Sequence, residues 1–259
     1  MSYGLQISAS GVMAALYRQD VYANNLANVE TAGFKPDVPT SRPRLAVREE
    51  DGLRYLSSNR LLERLGGGVL LNANRTEFAQ GSLKRSGNAL DMAIQGDGFF
   101  VVRDEADSSG DRVRLTRDGR FTRDSGGRLV MATSGMPVLD VGNRPILIPD
   151  GGGVTVEADG TLRQGNEAIA RVQVMGVPDR DRLTKMGHSL FSAPADALGG
   201  GSTATGQVRG YSYEDSAADE IKTLMSMTSA SREVDANVAL MQQHDKMMER
   251  AINSLGRTA

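Results

Sequence analysis

His188 stands next to Ser189, a base beside a nucleophile. Catalysis would need the two side chains to face each other within hydrogen-bond reach, and neighbours in an extended chain point to opposite sides. No Gly-x-Ser-x-Gly elbow surrounds them. Gly96-Asp97-Gly98 carries two glycines of a phosphate-cradling turn but not the third. Phe99 and Phe100 follow where a helix should open, so the segment reads as a hairpin turn. The acidic run 104–111 lacks the alternating ligands of a calcium loop and reads as a solvated hairpin tip. Asp91, Asp97 and Asp118 are available as the paired carboxylates of a glycosidase, but each sits in a turn-like context. Asp179-Arg-Asp-Arg182 reads as a charged loop, and His244 falls on the polar side of a helical segment. No constellation assembles nucleophile, base and oxyanion donors. The expectation is therefore no catalytic residue, no metal site, no cofactor and no small-molecule substrate.

Composition narrows the chemistry further. The 259 residues suffice for one large domain or two ordinary ones. There is no cysteine, so disulfides, thiol nucleophiles and Cys-ligated metals are excluded. With only 2 histidines a three-His metal site is impossible. Thirty Lys+Arg against 32 Asp+Glu leaves no bulk charge to hold nucleic acid, and 5% aromatics without Trp is poor for stacking on bases. No apolar run approaches the roughly 20 residues of a membrane span. The N-terminus lacks an early basic residue, and Ser2, Gln6, Ser8 and Ser10 interrupt any apolar core. The expectation is export, if any, by a route that reads no cleavable signal. Glycine is abundant at 30 residues, which points to many tight turns and a β-rich middle.

The elements follow from periodicity. Leu224, Met227, Ser231, Val234, Val238, Met241, Asp245, Met248, Ile252 and Leu255 fall at alternating three- and four-residue spacing, a heptad stripe broken only by Ser231 and Asp245. Ser216 with Asp219 resembles a capping box, and Gly256 is a natural stop. Leu5, Ala9, Val12, Leu16, Gln19, Ala23 and Leu26 form a second stripe, with Gly11 as a weak point and Gly33 and Pro36 closing the helical region. Residues 216–255 would span about 60 Å as one helix, and 4–29 about 39 Å. The longer exceeds a small domain, so it projects and needs a partner. The expectation is that the terminal helices pair as a coiled coil and present their remaining apolar surface to other subunits; the alternative is a long helix folded back on its own domain. Met225, Met227, Met241, Met247 and Met248 crowd that helix, as core filling or as an adaptable contact surface.

Between the helices, short β-prone runs flank turn signals. Runs 90–94 and 99–102 flank 95–98, runs 113–116 and 120–122 flank 117–119, and runs 154–157 and 161–163 flank Asp159-Gly160; each reads as a hairpin. Gly199-Gly-Gly-Ser202 reads as a flexible loop. The fold class is thus α+β. Residues 1–33 with 216–259 form a helical domain, 34–75 an extended, loop-rich connector, and 76–215 a β-rich domain.

Blocks in this order carry a resemblance. Tyr22-Ala-Asn-Asn-Leu-Ala-Asn-Val-Glu-Thr-Ala-Gly-Phe-Lys35 resembles the signature that ends the first helix of bacterial flagellar rod and hook proteins; its matching positions are Asn24, Asn25, Leu26, Ala27, Asn28, Gly33 and Phe34. Residues 80–100, with Gly96, Asp97, Gly98 and Phe99, are similar to a rod-protein block. Leu115-Thr-Arg-Asp-Gly-Arg-Phe-Thr-Arg-Asp124 and Ala230-Ser-Arg-Glu-Val-Asp-Ala-Asn237 match two more. The resemblance implies a subunit of the flagellar axle, exported by the flagellar apparatus without signal cleavage. It implies terminal helices forming an inner coiled-coil layer, a β-rich outer layer, and a location in the basal-body rod crossing the periplasm. Implied partners are further copies, other rod proteins, hook proteins and the export apparatus, with no nucleic acid. The subunit interface would then use Leu5, Val12, Leu16, Leu26, Leu224, Met227, Val234, Val238, Met241, Met248, Ile252 and Leu255. Free subunits should have disordered ends that order against a neighbour. Asn24, Asn25 and Asn28 should bond backbone where the helix ends.

Within the family, Tyr213-Glu-Asp-Ser-Ala-Ala-Asp219 departs from the block usual in distal rod proteins of the G type, and Arg232-Glu-Val-Asp-Ala-Asn237 lacks their aromatic. The ending Met248-Glu-Arg-Ala-Ile-Asn-Ser-Leu-Gly-Arg257 is more similar to proximal members of the F type. Distal rod protein is the alternative, with a secreted coiled-coil adhesin or adaptor and a carbohydrate-active β-domain enzyme as readings from other classes.

Overall fold

A computed structural model describes residues 3–58, 60, 63, 65–106, 113–194 and 204–255. The chain divides into two compact units, and each is built from separate stretches of sequence. The helical unit takes 1–27, 37–75 and 219–259; the β unit takes 28–36 and 76–218. The 202 loop and the Gly256 stop lie outside the described residues, as does most of the acidic run after Ala106.

In the helical unit, α1 (Tyr3–Ala27) is followed by β1 (Asp37–Val38), β2 (Ser41–Pro43), the single turn α2 (Val47–Glu50), β3 (Val69–Leu71) and, at the boundary, β4 (Arg75–Thr76); α3 (Glu220–Leu255) closes the unit. Residues 37–75, expected as an extended connector, thus hold short elements and group with the helices. β2 and β3 form an antiparallel ladder with Ser41 opposite Leu71. Ser10 of α1 accepts the Val69 amide at 3.3 Å, and a side chain at Gly68 would strike that hydroxyl. The cap of α3 differs from the expected capping box. Asp219 is the cap, its carboxylate accepting the Lys222 amide at 2.9 Å, while Ser216 bonds the Ala218 amide before the helix starts. Acceptor and negative charge both suit the donor-rich helix N-terminus.

The β unit carries β5 (Leu83–Arg85), β6 (Met92–Gln95), β7 (Phe99–Arg103), β8 (Val113–Thr116), β9 (Phe121–Arg123), β10 (Leu129–Met131), β11 (Val154–Val156), β12 (Thr161–Gln164), β13 (Glu167–Arg171), β14 (Val174–Met175), β15 (Thr184–Gly187), β16 (Leu190–Ser192), β17 (Gln207–Gly210) and β18 (Ser212–Glu214). The widest sheet has the order β14-β7-β8-β16-β15. β7 is covered on both faces. Phe100 and Val102 enter a core with Met92, Phe121, Leu129 and Leu162, whereas Phe99 and Val101 enter another with Leu115, Leu139 and Phe191. Alternation along a strand sends successive side chains to opposite faces, so a continuous apolar run belongs to a strand buried on both. Phe100 meets Phe121 edge-on at 5.2 Å, and Phe99 meets Phe191 at 5.9 Å.

Two expected hairpins are corners instead. Residues 95–98 join β6, which pairs with β17, to β7, which pairs with β8 and β14. Residues 117–119 join β8 to β9, whose ladder partner is β10. The second corner is forced by close packing. Gly119 accepts the Met92 amide at 2.9 Å, and a Cβ there would stand 1.6 Å from the Met92 carbonyl oxygen. The hairpin expected at Asp159-Gly160 does pair its flanking strands, β11 with β12. His188 and Ser189 form the two-residue tip between β15 and β16 with φ of 49° and 57°, the left-handed pair that such a turn requires.

Candidate functional site

The first three of the four signature blocks meet at one buried carboxylate. Glu214, at the end of β18, has no exposed surface. Its Oε1 accepts the Lys35 ammonium and the Gly81 amide, the latter at 2.9 Å, and its Oε2 accepts Arg117 Nη1 at 3.0 Å. Its backbone oxygen accepts the Gly33 amide at 2.8 Å. Lys35 also donates to the Ala79 carbonyl at 2.6 Å, and Arg117 to the Gly96 carbonyl at 2.9 Å while lying 5.2 Å from the centre of the Phe99 ring. Gly33 has φ of 65°, and a Cβ would come 2.2 Å from the Asp118 amide nitrogen, so only glycine fits where this passage crosses the 117–118 corner. Burial pushes both Lys35 and Arg117 below their ordinary ranges, with Glu214 pulling the other way. Two cations share one carboxylate in a dry setting, which makes Glu214 the group the others depend on.

Lys35, Arg117 and Glu214 were not singled out as sequence candidates. Lys35 and Arg117 sit inside the signature strings, where they read as ordinary turn charges, and Glu214 lies 179 positions from Lys35. The usable signal was a charge embedded among glycines and aromatics, a poor setting for solvated side chains. Of the asparagines, Asn25 is buried and works as expected. Its amide nitrogen donates to the Asp37 carbonyl at 2.7 Å and its oxygen accepts the Asp37 amide at 2.9 Å. Asn28 accepts the Thr31 hydroxyl at 3.1 Å, while Asn24 and Ala27 face outward. Phe34 is buried beneath the Lys185 ammonium, Gly98 and Phe99 are buried, and Gly96 and Asp97 are exposed.

The candidate interface residues are divided by the packing of α1 on α3. Gly4 faces His244, Gly11 faces Asn237, and Arg18 pairs with Glu233, so positions rising along α1 fall along α3 and the helices run antiparallel. A Cβ on Gly4 would stand 2.6 Å from the His244 ring, and one on Gly11 3.0 Å from the Asn237 amide. His244 therefore does not lie on a free polar face, and Gly11 is a socket as well as a weak point in helix propensity. The inward row of α3 is Thr223, Met227, Ala230, Val234, Asn237, Met241 and His244, all buried or half-buried. The expected stripe shares Met227, Val234 and Met241 with that row and lies one residue off it at the alternate positions, Leu224 beside Thr223 and Val238 beside Asn237. Leu224 is 53% exposed, Met248 53% and Ile252 65%, and Val238 is also exposed. On α1, Leu5, Val12 and Leu26 are half-buried and Leu16 is exposed, while Ser8, Ala14, Ala15 and Val21 are buried. Small residues allow close approach of two helices and leave the large apolar ones beside the seam. The side chain of Leu255 lies outside the described residues.

The carboxylates weighed for glycoside chemistry each have a structural partner. Asp118 is buried and held by Arg120 through two contacts of 3.0 Å, Asp91 accepts the Asn88 amide at 2.9 Å, and Asp97 meets Arg180 at 2.6 Å. Ser189 donates to the Ala32 carbonyl at 3.1 Å. Among the described residues no group of three or more His, Asp or Glu is placed to hold a metal ion, and no helix is long and apolar enough to cross a membrane.

Comparison with known proteins adds a second line. A family model described as the flagella basal body rod protein matches residues 5–35, and one described as the flagellar hook protein FlgE/F/G D1 domain matches 93–164. The chain is 30% identical over 263 residues to the flagellar basal-body rod protein FlgF of Rhizobium meliloti, covering 99% of both chains. It is 29% identical over 258 residues to FlgF of Mesorhizobium japonicum, again covering 99% of both. It is 27% identical over 265 residues to the flagellar basal-body rod protein FlgG of Buchnera aphidicola, covering 95% of this chain and 97% of the relative.

Proposed function

The chain belongs to the flagellar basal-body rod protein family, a structural subunit of the rod, and from that premise we propose that it polymerises through its exposed helical face into the proximal part of the rod. The observation that carries this reading is the row Leu224, Val238, Met248 and Ile252, left in water although α1 already covers the inward row. Large apolar side chains exposed along one face in this way suit a contact site. A contact between unlike surfaces that does not close on itself builds an open helical assembly, the form an axle needs. In that assembly the helix pair works as a coiled coil, and Leu5, Val12, Leu16, Leu26, Leu224, Met227, Val234, Val238, Met241, Met248, Ile252 and Leu255 supply the apolar contacts within and between subunits. The protein passes the flagellar export apparatus without signal cleavage, adjoins other rod and hook proteins across the periplasm, and performs no catalysis.

Placement at the proximal end rests on the FlgF relatives and on the sequence departures near Tyr213 and Arg232. The distal position is the second reading, favoured by the nearly full-length similarity to FlgG. A photo-crosslinker replacing Met248, followed by mass spectrometry of purified basal bodies, tests both points. Capture of rod proteins from the inner end supports the proximal reading, and capture of hook proteins supports the distal one. A chain missing from basal bodies defeats the assembly reading altogether.

A further inference from the structure

The chain enters and leaves the β unit at residues 28, 36, 76 and 218. All the stretches that carry those passages are tied at Glu214. The first, 28–36, is held through the Gly33 amide and the Lys35 ammonium. The second, opening at 76, is held where the Glu77 amide donates to the Pro36 carbonyl at 2.9 Å, the Ala79 carbonyl accepts Lys35, and the Gly81 amide reaches Oε1. The last, 214–218, contains Glu214 itself, and its Ala217 amide donates to the Phe34 carbonyl at 3.0 Å. Arg117 joins the cluster to the corner after β8, in the body of the β unit.

We propose that the Lys35–Glu214–Arg117 cluster is a mechanical clasp, which takes load arriving along the chain passages and delivers it to the β unit. The idea rests on the rod reading for its biological use. The placement has a physical logic. Short strand ladders such as β18 with β5 or β6 with β17 can unzip one hydrogen bond at a time when pulled at an end. A buried carboxylate that binds three chain stretches at once must release them together, and parting the pairs without water leaves uncompensated charge. Resistance of this kind appears in the unfolding rate under force more than in equilibrium stability.

End-to-end pulling of the purified full chain tests the proposal. Once the helices separate, tension reaches the β unit at residues 28 and 218. Glu214→Gln is compared with the core variant Val101→Ala at temperatures chosen to give equal equilibrium stability. The clasp requires a rupture force for Glu214→Gln about two-fold below that of Val101→Ala under those matched conditions. Equal rupture forces overturn it. Should Glu214→Gln fail to fold, Lys35→Met enters the same comparison, since it keeps the Arg117–Glu214 pair while removing the ammonium that ties the first passage to Glu214 and to the Ala79 carbonyl. A parallel assay scores swimming in viscous medium for variants still present in basal bodies. A weak clasp predicts loss of swimming only under high load. Absence of the wild-type chain from basal bodies would sink the rod reading and leave the pulling result standing.

Discussion

The two units treat their apolar residues in opposite ways. In the β unit the phenylalanines fill the interior: Phe99, Phe100, Phe121 and Phe191 are fully covered, although Val141, Leu147 and Met186 stay outside. In the helical unit the buried positions of α1 are Ser8, Ala14, Ala15, Val21 and Asn25, and among the exposed residues are Met13, Ile221, Leu224, Met225, Met247, Met248 and Ile252. At roughly 25 cal/mol per Å² of apolar surface removed from water, a unit that covers its aromatics gains its stability alone. A unit that leaves its Met and Leu in water has not realised that gain. One sequence thus encodes a finished β unit and a helical unit that keeps large apolar side chains in water, the surface proposed above as the contact between subunits.

The largest effect should come from emptying the finished unit. Phe100→Ala is expected to cost the β unit about 3–5 kcal/mol in denaturant unfolding, with the helical circular dichroism signal retained. Simultaneous loss of both signals would break the separation of the two units. Next come aspartates placed along α3, which sharpen the comparison because adjacent rows should respond differently. Met241→Asp, on the inward row, is expected to lower helical stability by about 1–3 kcal/mol. Val238→Asp, Leu224→Asp and Met248→Asp, on the outward row, should stay within about 0.5 kcal/mol of wild type and still abolish incorporation into basal bodies. Outward variants that assemble and swim normally would remove the exposed row from the interface.

A change comparable to that of Met241→Asp is expected at the socket. Gly11→Leu forces the Asn237 amide aside and should loosen the antiparallel pair by about 1–3 kcal/mol, measured as faster amide exchange in α1. The smallest effect concerns the β9–β10 turn. The Arg128 side chain, the Arg128 amide and the Gly126 amide hold the Asp124 carboxyl below its ordinary range. A lowered carboxylate contributes stability above its ordinary range and loses it as pH falls through the folded value. Protection of the Gly126 and Arg128 amides, relative to their intrinsic exchange at each pH, should therefore fall only in acid, and Asp124→Asn should show the reduced protection at neutral pH.

Legibility in the sequence followed the range of the interactions. The heptad spacing located both long helices, because helix periodicity is written in neighbours three and four apart. It found one seam position in each heptad, Met227, Val234 and Met241, and missed the other by one residue. Two adjacent rows of α3 both repeat in heptads, and only the surface of α1, with Gly4 and Gly11 where His244 and Asn237 sit, decides which row turns inward. Glycine-rich turns were equally visible, yet the turns at 95–98 and 117–119 proved to be corners. A glycine-bearing turn permits a change of direction without saying which strand will pair beyond it.

By itself, then, the sequence determined the helical ends, the β-rich centre, the turn positions and the signature that places the chain in its family, all properties of local spacing and residue type. The tertiary structure alone decided which apolar row was covered and which stayed open, and that Lys35, Arg117 and Glu214 meet in one buried cluster. Those outcomes depend on groups far apart in the chain. Their energies arise only when water is excluded between them, and no local pattern carries that information.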